Sequence, residues 1–151
     1  VRLSSYAPLL AKNGHTQWNP DLIYFTNDRV SPSINYHVQQ LFSMNSGDRF
    51  LSTTVSAPAK DLAVSTVRDS HSGDLILKLV NTAPAPRPLH ITLQGAGKLA
   101  SPATATVLSG PDPRAVDAQS VTPRMTTLTV APTFDYEAPA NSLTVIRMSG
   151  H

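Results

Sequence analysis

The sequence predicts a mainly β protein: an antiparallel β-sandwich of about seven strands, preceded by a helix–strand–helix segment of the kind that ends an α/β barrel. Two observations predict this fold. Apolar residues recur at helical spacing or in a short continuous run over the first 46 residues, and alternate with polar residues after about residue 50. Most of the 13 prolines fall after residue 57, between short apolar runs, where they favour turns. We therefore expect two domains, residues 1–46 and residues 47–151.

The first segment begins with a predicted helix and a predicted strand. Between Leu3 and Ala11 the apolar residues recur at helical spacing, and Gly14 is suited to end a helix there. Pro8 would have to lie in the first turn of this helix or kink it. The continuous apolar run of residues 22–25 predicts a strand that is buried on both faces, as in a parallel sheet.

A second helix follows and is the best marked of the predicted elements. Ser31 is suited to cap its N-terminus, Pro32 suits the first helical position, and Gly47 suits the residue after its end. Four residues form its apolar stripe, which we expect to face the barrel: Ile34, Val38, Leu41 and Phe42.

Alternation with a period of two predicts the strands of the sandwich. They are expected at residues 51–56, 62–68, 74–81, 89–94, 103–108, 126–130 and 142–148. Ser72 and Gly73 indicate a tight turn, so we expect the second and third of these strands to form a hairpin.

Composition and charge exclude several classes of function. The formal net charge is +2 and the 12 Lys and Arg residues form no basic run, so no nucleic-acid partner is expected. No apolar stretch approaches the roughly 18 residues that suggest a membrane span. The absence of cysteine leaves the compartment open, and we favour an extracytoplasmic location. Because the chain has neither an initiator Met nor a signal peptide, we expect it to begin inside a longer protein.

The sequence contains no obvious catalytic centre. It has nine Asp and a single Glu, Glu137, and no two of these carboxylates form an evident acid and base. The five His residues have no metal-ligand spacing, and no phosphate-binding loop or nucleophile motif occurs. We therefore predict no catalytic residue, no metal ion and no cofactor in this chain.

One segment, residues 13–21, has the composition of a sugar-binding loop. It is polar and includes Gln17 and Trp18, and a Trp ring can stack on a sugar face while Gln hydrogen-bonds hydroxyl groups. The equally weighted alternative is a packed loop in which Trp18 is a hydrophobic anchor.

Three sequence blocks carry a resemblance to a known family. They are residues 6–11 (YAPLLA), 15–25 (HTQWNPDLIYF) and 36–43 (YHVQQLFS). In this order they resemble the end of the catalytic barrel in family 51 α-L-arabinofuranosidases. Residues 75–81, 107–110 and 142–147 resemble the C-terminal β-sandwich that packs on that barrel. The resemblance covers nearly the whole chain.

The resemblance implies the C-terminal part of a retaining exo-hydrolase that removes terminal α-L-arabinofuranosyl groups from arabinan, arabinoxylan or related plant polysaccharides. Its two catalytic glutamates would lie upstream, so this fragment would be structural and non-catalytic alone. Its expected partner is the remainder of the catalytic barrel, in the same protein or a companion chain, and a homo-oligomer is left open. The full enzyme would bind arabinose-containing polysaccharide.

Barrel geometry ranks the candidate substrate-binding residues. Loops that leave the carboxyl ends of barrel strands build the active site, whereas loops that enter the strands lie at the opposite face. Asn27 leaves the predicted strand and ranks first; Gln17 and Trp18 precede the strand and rank second.

The alternative function is a stand-alone β-sandwich that binds carbohydrate or another partner. Such modules usually present an aromatic platform, and no Trp occurs after residue 50. The barrel-like first segment also has no use in such a module, which favours the enzyme fragment.

Overall fold

The computed structural model describes residues 5–110 and 121–150. Its elements are, in chain order, β1 (Leu10–Lys12), β2 (Ile23–Phe25), β3 (Val30–Pro32), α1 (Ile34–Met44), β4 (Arg49–Leu51), β5 (Leu62–Arg68), β6 (Leu75–Asn81), β7 (Arg87–Thr92), β8 (Ala103–Ser109), β9 (Arg124–Leu128), β10 (Thr133–Ala138) and β11 (Ser142–Met148). Within these ranges, no helix is long and apolar enough to cross a membrane.

The strands form three sheets. A six-stranded antiparallel sheet has the order β4-β5-β6-β11-β8-β9, and a two-stranded sheet consists of β10 and β7. Residues from the two sheets share one buried apolar cluster, so they pack as the two layers of a sandwich. The third sheet, β1-β2-β3, precedes them. The predicted mainly β, antiparallel sandwich is confirmed.

The central strands are buried on both faces because both faces of the large sheet are covered. Leu75, Leu77 and Leu79 of β6 face the two-stranded sheet. Ile76 lies between Leu75 and Leu77 and points to the opposite face of the sheet, where it belongs to the same buried cluster as Leu41 of α1. Burying each of these large side chains contributes roughly 1.5–3 kcal/mol.

The predicted first helix is wrong over the part of it that the structure describes. In place of a helix, residues 10–12 form β1, which pairs in parallel with β2 through Leu10 opposite Ile23. The ladder between the two strands outweighs the helical spacing of the apolar residues, and Pro8 could not donate the backbone hydrogen bond that a helix interior needs. The predicted strand at residues 22–25 is present as β2, but Ile23 and Tyr24 are only partly buried in this chain and Phe25 is exposed.

Helix α1 is present, but it starts two residues later than its predicted cap implies. Ser33 caps it, because its Oγ accepts a hydrogen bond from the Tyr36 N–H at 3.3 Å. Ser31 and Pro32 lie in β3, which pairs with β2. At the other end the Asn45 side chain donates to a carbonyl of the last turn at 2.9 Å.

The apolar stripe of α1 faces the sandwich, so the expectation that it faces the barrel is wrong. Ile34, Val38 and Leu41 pack on the outer face of the six-stranded sheet. Phe42, the fourth residue of the predicted stripe, is not part of that cluster: 44% of its surface is exposed, and its ring centroid lies 5.7 Å from the ammonium nitrogen of Lys78. The boundary between domains 1–46 and 47–151 stays a prediction, and α1 packs across it.

Gly47 is required by close packing rather than by helix termination. A Cβ at this position would lie 2.6 Å from the carbonyl oxygen of Arg68, on the neighbouring strand β5. Only glycine allows the backbone after α1 to approach β5 so closely.

The strands of the sandwich agree closely with the prediction in the central sheet and less well elsewhere. β5 and β11 have the predicted bounds, and Gly73, with φ +79°, lies in the predicted turn between β5 and β6. The strand predicted at residues 51–56 is wrong beyond its first residue, because β4 ends at Leu51. β10 was not predicted, and it pairs along its whole length with β7.

Candidate functional site

The parallel pairing of β1 and β2 brings two loops to one sheet edge. The Asn13 N–H donates to the Phe25 carbonyl oxygen at 2.9 Å, and the His15 N–H donates to that of Lys12 at 3.0 Å. Because the carboxyl ends of parallel strands meet at the same edge, residues 13–15 and residues 26–28 are neighbours there.

Asn27 lies exposed at the tip of the tight turn between β2 and β3. The Thr26 N–H donates to the Arg29 carbonyl oxygen at 2.8 Å and closes the turn. The Thr26 hydroxyl donates to Asp28 Oδ1 at 2.7 Å, and this hydrogen bond is the main cause that lowers the pKa of Asp28. Asn is common in such turns, yet its exposed amide is also available to a ligand at this edge.

Trp18 is held by its backbone while its ring faces solvent. The Thr16 hydroxyl accepts from the Trp18 N–H at 3.1 Å and lies 2.9 Å from Asp21 Oδ2, to which it donates. The indole is 68% exposed, and Gln17 beside it is also exposed. An anchoring ring would be buried, so within the described part of the chain Trp18 is not a packed anchor.

The second half of this loop is tied to the amino ends of the two strands. Asp21, just ahead of β2, is fully buried, and its N–H donates to the Tyr24 hydroxyl at 2.7 Å. The Tyr6 hydroxyl, ahead of β1, donates to the Pro20 carbonyl oxygen at 3.2 Å. The structure therefore groups Asn27 with residues 13–15 at the carboxyl edge, and holds the chain after Trp18 toward the other end.

Sequence reasoning missed that residues 13–15 leave a strand. The apolar spacing of residues 3–11 predicts a helix, so the sequence alone indicates the following loop only as the entrance to β2. The short apolar run of residues 9–11, ahead of polar residues and Gly14, was the signal that could have indicated β1.

The carboxylates of Asp69 and Asp74 share an ion pair with Arg147 and do not form an acid–base pair. Arg147 Nε lies 2.5 Å from Asp74 Oδ2, and another guanidinium nitrogen of Arg147 lies 3.5 Å from Asp69 Oδ2. The hydroxyl of Ser72 is the main cause that lowers the pKa of Asp69. A glycosidase acid requires a raised pKa, so a catalytic role is disfavoured for Asp69. The ion pair instead ties the turn between β5 and β6 to β11. Glu137 lies exposed on β10.

Metal-binding side chains are not clustered in the part of the chain that the structure describes. No group of three or more His, Cys, Asp or Glu residues in residues 5–110 and 121–150 could hold a metal ion.

The three-stranded sheet exposes an apolar surface. Leu9, Leu10 and Val30 are 53%, 58% and 65% exposed, and in the described residues β1 pairs only with β2. Nearby, two polar atoms, Asp21 Oδ1 and His37 Nδ1, are buried and have no hydrogen-bond partner among the described residues. Exposed apolar area and orphaned polar atoms are the features of a surface that contacts further protein.

Sequence comparison with known proteins finds α-L-arabinofuranosidases. The family model of the α-L-arabinofuranosidase C-terminal domain matches residues 1–142. A probable α-L-arabinofuranosidase A of Aspergillus terreus is 34% identical over 157 residues, which cover 97% of this chain and 23% of that protein. An extracellular exo-α-L-arabinofuranosidase of Streptomyces chartreusis is 55% identical over 49 residues, 32% of this chain and 6% of that protein.

A solved structure extends the likeness to the whole described fold. An arabinose-bound α-L-arabinofuranosidase of glycoside hydrolase family 51 matches with a TM-score of 0.85 and 34% identity, over 97% of this chain and 24% of that one. The chain thus spans about a quarter of the length of the relatives it matches.

Proposed function

The chain belongs to the α-L-arabinofuranosidase C-terminal domain family, and from that premise we propose that it is the C-terminal part of a retaining, exo-acting α-L-arabinofuranosidase. The full enzyme removes terminal arabinofuranosyl residues from plant polysaccharides such as arabinan and arabinoxylan. The observation that carries the proposal is the 34% identity to an arabinose-bound family 51 enzyme over 97% of this chain.

The proposed role of this chain is structural. The β1-β2-β3 sheet docks on the remainder of the catalytic barrel, where Leu9, Leu10 and Val30 become buried. Each Å² of apolar surface removed from water contributes roughly 25 cal/mol, so burial of these three side chains stabilises the contact with the barrel. The open edge of β1 continues the barrel sheet by pairing with a neighbouring strand.

The chain contributes to the substrate site from the carboxyl edge of β1 and β2. Asn27 is the first candidate for a hydrogen bond to the sugar, because barrel enzymes bind substrate at the carboxyl ends of their strands. Gln17 and Trp18 are the second candidates. The two glutamates that a retaining mechanism uses belong to the rest of the protein, since Glu137 is the single glutamate of this chain and lies on the sandwich.

Activity measurements test this proposal. The full-length protein is expected to hydrolyse 4-nitrophenyl α-L-arabinofuranoside and to release the sugar with its anomeric configuration retained, as followed by proton NMR. The 151-residue chain alone is expected to give no turnover. Turnover by the chain alone that survives Glu137→Gln would place the catalytic centre elsewhere than proposed, and a full-length protein inactive on this substrate would refute the assigned activity.

The second candidate function is sugar binding by this chain alone, and the exposed ring of Trp18 is the observation that favours it. Calorimetric titration of the chain with soluble arabinan distinguishes the two. Binding that is lost in Trp18→Ala but kept in Phe50→Ala, which removes another exposed ring, would support a binding module.

A further inference from the structure

β1 ends in an exposed tight turn that contains the sequence Asn13-Gly14. The His15 N–H donates to the Lys12 carbonyl oxygen at 3.0 Å, and Gly14, at the third position of the turn, has φ +75°. A positive φ at this position is typical of a type II turn, where glycine is favoured. The turn therefore holds the peptide bond between Asn13 and Gly14 at the surface.

The backbone nitrogen of Gly14 is unshielded. A Cβ placed on Gly14 would meet no atom within 4 Å, and glycine itself has no side chain that could screen the nitrogen. Among the described residues no backbone acceptor binds the Gly14 N–H, although the Asn13 N–H donates to the Phe25 carbonyl oxygen at 2.9 Å. The Gly14 nitrogen can therefore approach the exposed Asn13 side chain without losing a backbone hydrogen bond.

Seven asparagines occur in the chain, and five of them lack these conditions. In each of the five, the side-chain amide is bound, the next residue lies in a helix or strand, or the next residue is proline, which has no N–H. They are Asn19, Asn35, Asn45, Asn81 and Asn141. Asn27 is the closest comparison, because it is exposed at the same sheet edge but is followed by Asp28 rather than by glycine.

An exposed Asn-Gly peptide can lose ammonia without an enzyme. The Gly14 nitrogen gives up its proton to hydroxide and attacks Cγ of Asn13, the bond between Cγ and Nδ2 breaks, and the departing nitrogen takes up a proton and leaves as ammonia. Water then opens the resulting cyclic imide at either carbonyl group. The product is aspartate, or isoaspartate in which the main chain continues through the side-chain carbonyl. Nothing is oxidised or reduced, and water is the only co-reactant.

We propose that Asn13 is a site of spontaneous modification, at which the amide is replaced by a carboxylate as the protein ages. The change places a new negative charge at the carboxyl edge of β1 and β2, where residues 13–15 lie beside residues 26–28. Asp28 already lies at this edge, and its hydrogen bond from the Thr26 hydroxyl lowers its pKa and keeps it charged. The modified edge therefore carries two like charges and differs chemically from the edge of the new protein.

Peptide mapping by mass spectrometry of the aged full-length protein tests the proposal. After incubation in mildly alkaline buffer, the peptide with Asn13 is expected to gain the mass difference between a hydroxyl and an amino group. The modified fraction at Asn13 should exceed that at Asn27 by roughly tenfold or more, because the Asp28 side chain screens the nitrogen that would attack Asn27. The rate should rise with pH, since the deprotonated nitrogen is the attacking group.

Asn13→Gln is the matched control. It keeps a neutral amide in the turn and leaves Gly14 in place, but its longer side chain forms the cyclic imide less readily, so the mass of this peptide should stay constant. An Asn13 that stays intact while Asn27 is modified would overturn the proposal. Equal modification of Asn13 and of Gln at this position would also overturn it, because attack by Gly14 would then not determine the site.

A link between this site and the sugar rests on the proposed function and is tested separately. Residues 13–15 share an edge with Asn27, the first candidate for a hydrogen bond to the sugar, so saturating L-arabinose is expected to slow the modification severalfold in the full-length protein. An unchanged rate in an enzyme that hydrolyses the aryl arabinofuranoside would refute the position of the sugar alone. An intact Asn13 in an equally active enzyme would refute the modification site alone.

Discussion

Asn81, at the end of β6, is a buried and hydrogen-bonded amide. Its replacement should lower the free energy of unfolding by several kcal/mol. The residue is fully buried. Its Nδ2 donates to the carbonyl oxygens of Ala85, Ala138 and Pro139 at 3.0, 3.1 and 2.9 Å, and its Oδ1 accepts from the Ala83 N–H at 3.1 Å. One side chain thus joins the central strand, the loop after it and the end of β10.

The size of this effect follows from the number of hydrogen bonds that the Asn81 side chain can make. The amide has two N–H groups for three acceptors, so with its own oxygen it makes the equivalent of three hydrogen bonds. At about 1 kcal/mol net for each bond, Asn81→Ala should lower the free energy of unfolding by about 3 kcal/mol. For a chain of this size that corresponds to a fall in Tm of roughly 6–12 °C. Asn81→Asp should cost more near pH 7, because a carboxylate would face three carbonyl oxygens in a buried site.

Urea denaturation followed by circular dichroism measures the effect through the midpoint at constant slope. Thr82→Ala is the matched control, because the neighbouring Thr82 is exposed and its hydroxyl makes only a 3.4 Å contact with the Asp61 carbonyl oxygen; its change should stay within about 0.5 kcal/mol. Equal changes in the free energy of unfolding for Asn81→Ala and Thr82→Ala would contradict the stabilising role of the Asn81 hydrogen bonds.

Three further predictions follow from single contacts. Gly47→Ala should lower the free energy of unfolding by about 1–3 kcal/mol in urea denaturation, because its Cβ would meet a backbone oxygen 2.6 Å away; an unchanged midpoint would contradict that packing. Burial lowers the pKa of Lys78 from 10.5. Between the lowered pKa and 10.5 the unfolded chain therefore binds more protons than the folded chain, and stability should rise with pH over that range. Lys78→Met should be more stable than wild type at pH 7 and lose that pH dependence, and equal slopes in both proteins would refute the assignment. In the full-length enzyme, Asn27→Ala should lower kcat/KM by about tenfold through one lost hydrogen bond, whereas Trp18→Ala should chiefly lower Tm by removing a contact with the barrel; the opposite pattern would reverse the ranking of these candidates.

The sequence predicts the central sheet best, because burial on a pleated surface leaves a local pattern. β5 and β11 are short runs rich in apolar and β-branched residues, and their predicted bounds match the observed ones. β10 carries a local signal as well, with Phe134, Tyr136 and Ala138 alternating with polar residues. The sequence alone suggests a solvated turn here, because Asp135 and Glu137 are charged. Only the structure shows that both residues lie on the outer surface of the second layer.

The errors in the first segment arise from long-range pairing. Spacings of three and four residues near Tyr6 and Leu10 are compatible with a helix, and only the partner strand β2 selects the extended form. The choice between Ser31 and Ser33 as helix cap depends on β3 in the same way, because its ladder with β2 occupies Ser31 and Pro32. For the candidate site, the position of Asn27 after β2 was predictable, whereas the course of the loop that carries Trp18 required the tertiary contacts.

The position of β11 has a consequence for biosynthesis. It lies between β6 and β8 and pairs with both, yet it is translated after either of them. Until Ser142–Met148 has left the ribosome, the nascent chain has two separate pieces of sheet whose inner strands expose unsatisfied backbone and apolar side chains. Unpaired strand edges of this kind promote chaperone binding or aggregation. The six-stranded sheet therefore cannot be completed before β11 is available, and a chain that stalls earlier should be degraded rather than accumulate as a smaller domain.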